Sequence, residues 1–248
     1  MTGIRIACGA PVAALLVPRP VAVGGDDEQT LTVLAAASLT DAFEDPAAEF
    51  EADHDGTSVT FSFGSSTDLA EQVADGAPGD VLATADETSM STAEDAGVTG
   101  EIETFATNVL TIVTPAGNPA GIASLDDLEG STRVRCADEV PCGKVALAVP
   151  ADNDITAEPA SLEEDVRATL DKVVSGEADA GLVYATDAVA AGDKVATVQV
   201  PGAESALTSY FSTVLEQSED ADLAREWVDF VTSDEGRSIL EHAGFGAP

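Results

Sequence analysis

The stretch LTVLAAASLTDAF, residues 31–43, decides the class of fold that we predict. Its first five residues are apolar or β-branched and predict a buried strand. Ser38, with Asp41 three residues later, matches the capping box that begins a helix. Leu39 and Phe43 then lie at the spacing of one helix face. A strand that passes directly into a helix predicts the first unit of an α/β fold.

The alternation of strand and helix continues along the chain. Residues 58–63 alternate as in a second strand, and Ser65 with Asp68 forms the same box before the next helix. Residues 80–84 are a third apolar run, and this spacing is typical of βαβ units and a parallel sheet. The pattern predicts further strands over residues 108–113, 133–135, 180–184 and 195–200, a helix that begins at Pro141, and helices over residues 161–174, 221–231 and 234–242.

The charge balance excludes one class of function. The 248 residues include 46 acidic and 10 basic side chains, for a formal net charge of −36. A protein that binds nucleic acid needs a basic face that displaces counterions, and attraction to anionic lipid needs one as well. We therefore exclude nucleic acid as a partner and disfavour a lipid surface.

The acidic excess itself has two interpretations. Salt at 1 M shortens the Debye length to about 3 Å and screens repulsion between carboxylates, so such a surface suits a high-salt environment. The alternative is an acidic surface that only maintains solubility. The depletion of lysine to Lys144, Lys172 and Lys194 favours the halophilic interpretation.

Residues 1–29 resemble a secretion signal. Arg5 precedes an apolar stretch over residues 6–17, and small residues follow. This stretch is too short to span a bilayer as a helix, and no later apolar run is long enough. A lipoprotein signal needs a cysteine near Val23, where none occurs. Two alternatives stay open: ordinary cleavage, or descent from a lipid-anchored protein that lost its anchor residue.

The cysteines also bear on the compartment. Cys8 lies in the signal-like leader, which leaves Cys136 and Cys142 close together. Two cysteines make a poor zinc site, and the two histidines, His54 and His242, are far away in sequence. A short disulfide loop in an oxidising compartment fits better, with two unpaired buried thiols as the alternative.

Several predicted helices begin with groups that suit an anion. Ser38 and Ser65 follow strands, and residues 141–143 and 164–166 begin later helices. A helix N-terminus presents unpaired N–H groups and the positive end of the helix dipole, and a serine hydroxyl adds a donor. A single serine in such a place more often only caps its helix.

Catalytic motifs are absent from the sequence. It contains no G-x-S-x-G elbow, Walker loop, G-x-G-x-x-G or H-E-x-x-H motif. We expect His54 to face solvent and His242 to lie on the surface of the last helix. The sequence therefore indicates a binding protein, with no catalytic residue, no cofactor and no directly coordinated metal.

The order of motifs resembles the periplasmic molybdate-binding proteins, the solute receptors of molybdate ABC importers. The resemblance extends over most of the chain from Leu31 to Phe245 and rests on a series of short segments. These are residues 34–43, 64–67, 76–81, 140–143, 164–167, 176–187 and 233–240 with 244–245.

The resemblance implies five contacts to a tetrahedral oxyanion, molybdate or tungstate. Ser38 and Ser65 would donate hydroxyl and backbone N–H bonds, Cys142 and Val166 backbone N–H bonds, and Tyr184 its phenol. The choice between Ser65 and Ser66 stays open, because Asp68 departs from the family's pattern at the second motif. Val109 is a second departure, since many relatives carry a basic residue there.

The resemblance also implies a type II periplasmic-binding fold with two lobes, each a mainly parallel sheet flanked by helices. We expect lobe I over residues 30–111 and 198–248, and lobe II over residues 112–197. The strands near residues 108–113 and 195–200 would be the hinge. The implied protein is an extracytoplasmic monomer whose partner is a membrane ABC permease that recognises the closed form.

Three other functions share the implied fold or the ligand chemistry. A porphyrin-precursor deaminase of the same fold would need many arginines for its acidic substrates, and the chain has seven, scattered. A regulator with the same sensor fold would need a helix-turn-helix, which the N-terminus lacks. A receptor for another tetrahedral oxyanion, such as sulfate, is the nearest alternative.

Overall fold

The computed structural model describes residues 29–148 and 158–248, in which strands and helices alternate. The strands are β1 (Gln29–Ala36), β2 (Thr57–Gly64), β3 (Val81–Thr84), β4 (Thr99–Asn108), β5 (Leu110–Pro115), β6 (Arg133–Cys136), β7 (Ser161–Glu163), β8 (Ala180–Tyr184), β9 (Val195–Val198) and β10 (Thr208–Leu215). The helices are α1 (Glu44–Asp53), α2 (Ser66–Ala74), α3 (Glu87–Asp95), α4 (Pro141–Ala148), α5 (Val166–Val174), α6 (Ala185–Ala191), α7 (Ala221–Thr232) and α8 (Asp234–His242).

The strands form two five-stranded sheets. The first has the order β2-β1-β3-β10-β4 and the second β7-β6-β8-β5-β9. In the first sheet β1 is parallel to β2 and β3, whereas β10 is antiparallel to both of its neighbours. In the second, β6 is parallel to β7 and β8, whereas β5 is antiparallel to both of its neighbours. The predicted fold of two mainly parallel sheets with flanking helices is confirmed.

The chain passes between the sheets twice. It leaves the first sheet at Val109, between β4 and β5, and returns to it over residues 199–207, between β9 and β10. In each sheet the antiparallel strand is the one that directly follows a change of sheet. The strand predicted over residues 108–113 is therefore two strands, since β4 ends at Asn108 and β5 begins at Leu110.

Each sheet has its own apolar core. The core of the first sheet is rich in aromatic rings, and Phe43 and Phe50 lie edge-on to Trp227 with ring centroids 5.6 and 5.3 Å apart. The core of the second consists mainly of aliphatic residues and includes Val200 and Ala203 from the returning segment. A composition with 4% aromatic residues predicts aliphatic cores. This holds for the second sheet and for a smaller cluster on the first that includes Leu34, Leu69 and Met90, whereas the main cluster of the first sheet adds a group of aromatic rings to its aliphatic residues.

The capping box predicted at Ser38 and Asp41 is wrong. Residues Ala37–Leu39 form a short 3₁₀ helix, and α1 begins later, at Glu44. Ser38 is buried and its hydroxyl pairs with Tyr210 instead of a backbone N–H. Asp41 is drawn into an ion pair with Arg167. Both side chains of the expected box therefore have tertiary partners.

A further local prediction is wrong, and another holds only in part. The helix predicted over residues 161–174 is strand β7 followed by α5, because residues 161–163 pair with β6 and Asp165 caps the helix by accepting a bond from the Ala168 N–H at 2.8 Å. His54 does not face solvent freely: it stacks on Phe50 with ring centroids 3.9 Å apart and contacts a Glu226 oxygen at 3.0 Å.

The signal-like leader and Cys8 lie outside the described residues, apart from Gln29. Among the helices of the two described ranges, none is both long enough and apolar enough to cross a membrane.

Candidate functional site

A small cavity lies between the two sheets and is lined by both. It lies at the ends of β1, β2 and β8 and at the beginnings of α2, α4 and α5. The structure places all five residues expected to contact an oxyanion in its wall. The first sheet's side contributes Ala36, Ala37, Ser38, Gly64, Ser65, Ser66 and Ala85, and the second's contributes Val140, Pro141, Cys142, Asp165, Val166 and Tyr184.

Ser65 carries a hydroxyl that no other described residue uses. It precedes α2 as its N-cap residue but makes no side-chain capping bond, so the box expected with Asp68 is not formed. Its Oγ is buried without a hydrogen-bond partner among the described residues. Ser66, by contrast, accepts a bond from the Ala85 N–H at 3.0 Å. A buried polar group without a partner is costly, so Ser65 is the serine whose hydroxyl is available to a bound molecule.

Ser38 lies opposite, in the 3₁₀ turn after β1. Its Oγ is 2.7 Å from the hydroxyl of Tyr210, a fully buried residue of β10. Burial raises the pKa of the Tyr210 phenol, whereas its hydrogen bonds with Ser38 and Asn108 lower it. Burial has the larger effect, so the pKa lies above its ordinary value. Tyr210 therefore stays protonated beside Ser38 across the physiological range.

Cys142 and Val166 lie in the first turns of α4 and α5, where backbone N–H groups have no partner within the helix. The predicted disulfide between Cys136 and Cys142 is present and joins the end of β6 to the start of α4. A side chain at Gly143 would place its Cβ only 1.7 Å from the Ala137 carbonyl oxygen. Glycine at this position therefore allows the loop and the helix to approach closely.

Tyr184 ends β8 and is 1% exposed. Its hydroxyl has no hydrogen-bond partner among the described residues. Burial, with a smaller effect from Tyr210, outweighs the lowering effect of the nearby Thr208 hydroxyl and raises its pKa well above the ordinary value. The phenol is therefore a protonated donor that, like the Ser65 hydroxyl, has no acceptor at ordinary hydrogen-bond geometry among the described residues.

Ion pairs join the two sides of the cavity without entering it. Arg167, next to Val166 on α5, pairs with Asp41 from the first side. Lys144 on α4 pairs with Asp86, the N-cap residue of α3, at 2.8 Å. No lysine or arginine is among the lining residues. Positive charge thus supports the arrangement of the two sides. The wall itself offers neutral donors, and its one carboxylate, Asp165, accepts a bond from the Ala168 N–H as the N-cap of α5.

Asp187 is a buried acid beside the site that the sequence did not single out. Burial raises its pKa to about 7, against the lowering effect of Arg167, whose Nη1 is 3.9 Å from Oδ1. Its Oδ2 accepts a bond from the Tyr184 N–H at 3.1 Å, which fixes the backbone that carries the phenol. Asp187 is part of the segment over residues 176–187 that carries the resemblance. Nothing in that segment indicates that its side chain is buried or that it holds the Tyr184 backbone.

Sequence reasoning also missed Tyr210 and Ala85. Tyr210 is far from Ser38 along the chain, and strand β10 itself was not predicted. Ala85 carries no reactive group and contributes only wall and backbone. In the described ranges, no cluster of three or more His, Cys, Asp or Glu side chains could hold a metal ion.

Comparison with known proteins identifies the family. The model of the bacterial extracellular solute-binding proteins matches residues 31–246. The chain belongs to this family. The family consists of binding proteins, which confirms the prediction of a binding protein rather than an enzyme and indicates a location outside the cytoplasm.

Individual relatives agree with the family. The molybdate-binding protein ModA of Mycobacterium tuberculosis is 38% identical over 251 residues and covers 96% of each chain. The periplasmic molybdate-binding protein of Azotobacter vinelandii has the same fold, with a TM-score of 0.77, 21% identity, and coverage of 88% of this chain and 99% of that chain. The sulfate-binding protein SubI of M. tuberculosis superposes with a TM-score of 0.77 at 21% identity, covering 88% and 86% of the two chains.

Proposed function

We propose that the protein is an extracytoplasmic receptor that binds molybdate, or tungstate, in the cavity between the sheets and delivers it to a membrane ABC permease. One observation carries the proposal. The hydroxyls of Ser65 and Tyr184 are buried, form no hydrogen bond with any described residue, and line the same cavity as two helix N-termini. The 38% identical relatives named as molybdate-binding proteins support the choice of oxyanion.

The expected contacts are all neutral donors. The hydroxyls come from Ser38, Ser65 and Tyr184, and the backbone N–H groups include those of Cys142 and Val166. Aligned amides and helix N-termini hold a buried anion without a positive side chain. Such a set suits a fully deprotonated dianion, whereas hydrogen phosphate carries a proton that needs an acceptor.

Sulfate is the alternative ligand most similar to molybdate, since it is also a tetrahedral dianion. Its bonds are shorter than those of molybdate. A cavity set for the larger ion cannot engage every donor with the smaller one, and each buried donor left unpaired costs about 1–3 kcal/mol.

We further propose that each sheet with its helices is one lobe and that closure of the lobes is the signal read by the permease. The lobe boundaries that we propose differ slightly from the expected ones. Leu110 and Thr111 belong to β5 of the second sheet, and Val200 and Ala203 lie in the second core. The hinge would then be Val109 and the returning segment that ends before Thr208.

The remaining parts of the proposal concern the protein's setting. Residues 1–29 would direct export and be removed, and the mature receptor would act as a monomer. The disulfide between Cys136 and Cys142 is consistent with an oxidising compartment. The net charge of −36 supports a high-salt environment.

Calorimetric titration with sodium molybdate, tungstate, sulfate and phosphate tests the function. We expect molybdate and tungstate to bind at least about a hundredfold more tightly than sulfate, the result of one or two donors left unpaired. Phosphate should bind more weakly still near neutral pH. Equal affinity for sulfate and molybdate would reject the assignment in favour of a general oxyanion receptor.

A further inference from the structure

A chain of buried hydrogen bonds extends from Ser38 away from the cavity. The hydroxyl of Tyr210 lies 2.7 Å from Ser38 Oγ and 3.4 Å from Asn108 Nδ2. Asn108 is the last residue of β4 and is itself buried. The Tyr210 ring is held by aromatic packing, with its centroid 5.1 Å from that of Phe245. These groups have little freedom to change partners.

The orientation of the Asn108 amide follows from one backbone bond. The Val109 N–H, which can only donate, contacts Asn108 Oδ1 at 2.9 Å. The other end of the amide is therefore the NH₂ group, which faces Tyr210 and also Thr186 Oγ1 at 2.8 Å. Both of these contacts must be donated by Asn108.

The direction of the remaining bonds follows in turn. Because Asn108 donates to the Tyr210 oxygen, the Tyr210 proton must go elsewhere, and the one acceptor near it in the described chain is Ser38 Oγ. Ser38 thus accepts a bond from Tyr210. Its own proton then has no acceptor among the described residues and is free for a molecule in the cavity that Ser38 lines.

We propose that Tyr210 is a positioning residue which, set by Asn108, commits the Ser38 hydroxyl to donate to the bound oxyanion. The inference rests on the proposed function, since it assigns how one of the proposed donors is oriented. Without the Tyr210 hydroxyl, Ser38 Oγ accepts no buried hydrogen bond. The Ser38 O–H can then rotate about the Cβ–Oγ bond among several orientations. Ordering that hydroxyl on binding then lowers the affinity.

Tyr210→Phe isolates this effect, because it removes the hydroxyl and keeps the ring. We expect calorimetry with sodium molybdate to show about three- to tenfold weaker binding, the contribution of one neutral hydrogen bond. The deciding measurement is a double-mutant cycle. In a Ser38→Ala background, Tyr210→Phe should cause no further loss, because its effect passes through the Ser38 hydroxyl.

Ser65→Ala provides the matched control background. Ser65 is an equally buried cavity serine with no bond to Tyr210. In that background Tyr210→Phe should cause the same three- to tenfold loss, about the value of one hydrogen bond, as in the wild type. A general loosening of the structure would lower affinity in both backgrounds alike, so the contrast separates positioning from a merely structural role.

Asn108→Asp is the second variant, because it replaces the donor facing Tyr210 with an acceptor of the same shape. We expect the Tyr210 proton to turn toward the new carboxylate, with weaker molybdate binding and no further loss from Tyr210→Phe. In a Ser38→Ala background Asn108→Asp should cause a smaller loss, because only repulsion by the new carboxylate remains, so this pair tests the inference even where Tyr210→Phe fails to fold.

The outcomes separate the two proposals. Wild-type protein that does not bind molybdate overturns both. Wild-type protein that binds, with a Tyr210→Phe loss that is unchanged in the Ser38→Ala background, overturns the positioning role and leaves the receptor function standing. Wild-type affinity in either Tyr210→Phe or Asn108→Asp also overturns the positioning role.

Discussion

At the scale of single residues, the neighbours Ser65 and Ser66 have different expected roles: Ser65 contacts the bound ion, and Ser66 stabilises the fold. Ser65→Ala removes a buried hydroxyl without a partner, so we expect the free energy of unfolding of the ligand-free protein to stay level or rise, and molybdate binding to weaken by about 1–3 kcal/mol. Ser66→Ala leaves the Ala85 N–H unpaired and should lower the unfolding free energy by about 1–3 kcal/mol. Denaturant titration and calorimetry measure the two effects. The reverse pattern would make Ser66 the ligand.

Asp187 gives a prediction that depends on pH. Burial raises its pKa from 3.8 to about 7, so between these values the folded protein holds a proton that the unfolded chain releases. The contribution of Asp187 to stability must therefore increase as the pH falls through 7 and be lost as it rises. We expect the unfolding free energy of the wild type, relative to Asp187→Asn, to be greater at pH 5 than at pH 8. A difference that does not vary with pH would contradict the pKa shift.

The five expected contact residues all follow short motifs at the ends of strands, which explains why the sequence places them in one cavity. The order of such motifs along the chain fixes which strand ends meet. Tyr210 offers no comparable signal, because its position opposite Ser38 depends on how β10 enters the sheet between β3 and β4. The direction of a hydroxyl proton depends in turn on Asn108, and no local pattern encodes that.

At the scale of secondary-structure elements, Lys144 joins α4 to α3 across the cavity. Lys144→Met keeps the aliphatic stem and removes the charge that pairs with Asp86. We expect molybdate binding to weaken by no more than about 1 kcal/mol, since the pair is partly exposed, and the loss to shrink at high salt.

Lys172→Met is the matched control for this change. Its ion pair, with Glu163 at 3.3 Å, joins α5 to β7 on the same side of the cavity, and its lysine is similarly exposed. Removing it should leave molybdate affinity unchanged. An equal loss of affinity in both variants would show that net charge, and not the bridge between the two sides, is responsible.

Element boundaries were predictable where one signal was unopposed. Strand β8 and helix α8 match their predicted bounds, because an apolar run and a clear cap coincide there. The predicted start of α5 was wrong because residues 161–164 fit both the pattern of a helix cap and that of a short strand. Pairing of residues 161–163 with β6 decides for the strand. Tertiary contact, and not local preference, determined that boundary.

At the scale of the whole molecule, charge dominates. With a net charge of −36, repulsion between carboxylates should destabilise the fold in dilute buffer, and salt should screen it. We expect the melting temperature to rise between dilute buffer and molar sodium chloride, and the association rate with the molybdate dianion to rise as well. Thermal unfolding and stopped-flow mixing measure these. A melting temperature that is flat or falls with salt would contradict the halophilic interpretation.

The two changes of sheet determine which half of the molecule is able to form first during synthesis. All strands of the second sheet come from one continuous segment, residues 110–198. The first sheet lacks its fourth strand until residues 208–215 emerge, and until then β3 and β4 have no strand to join them. During synthesis from the N-terminus, all strands of the second sheet are therefore available before all those of the first. Strands β1 to β4 cannot form the complete first sheet until β10 has been synthesised.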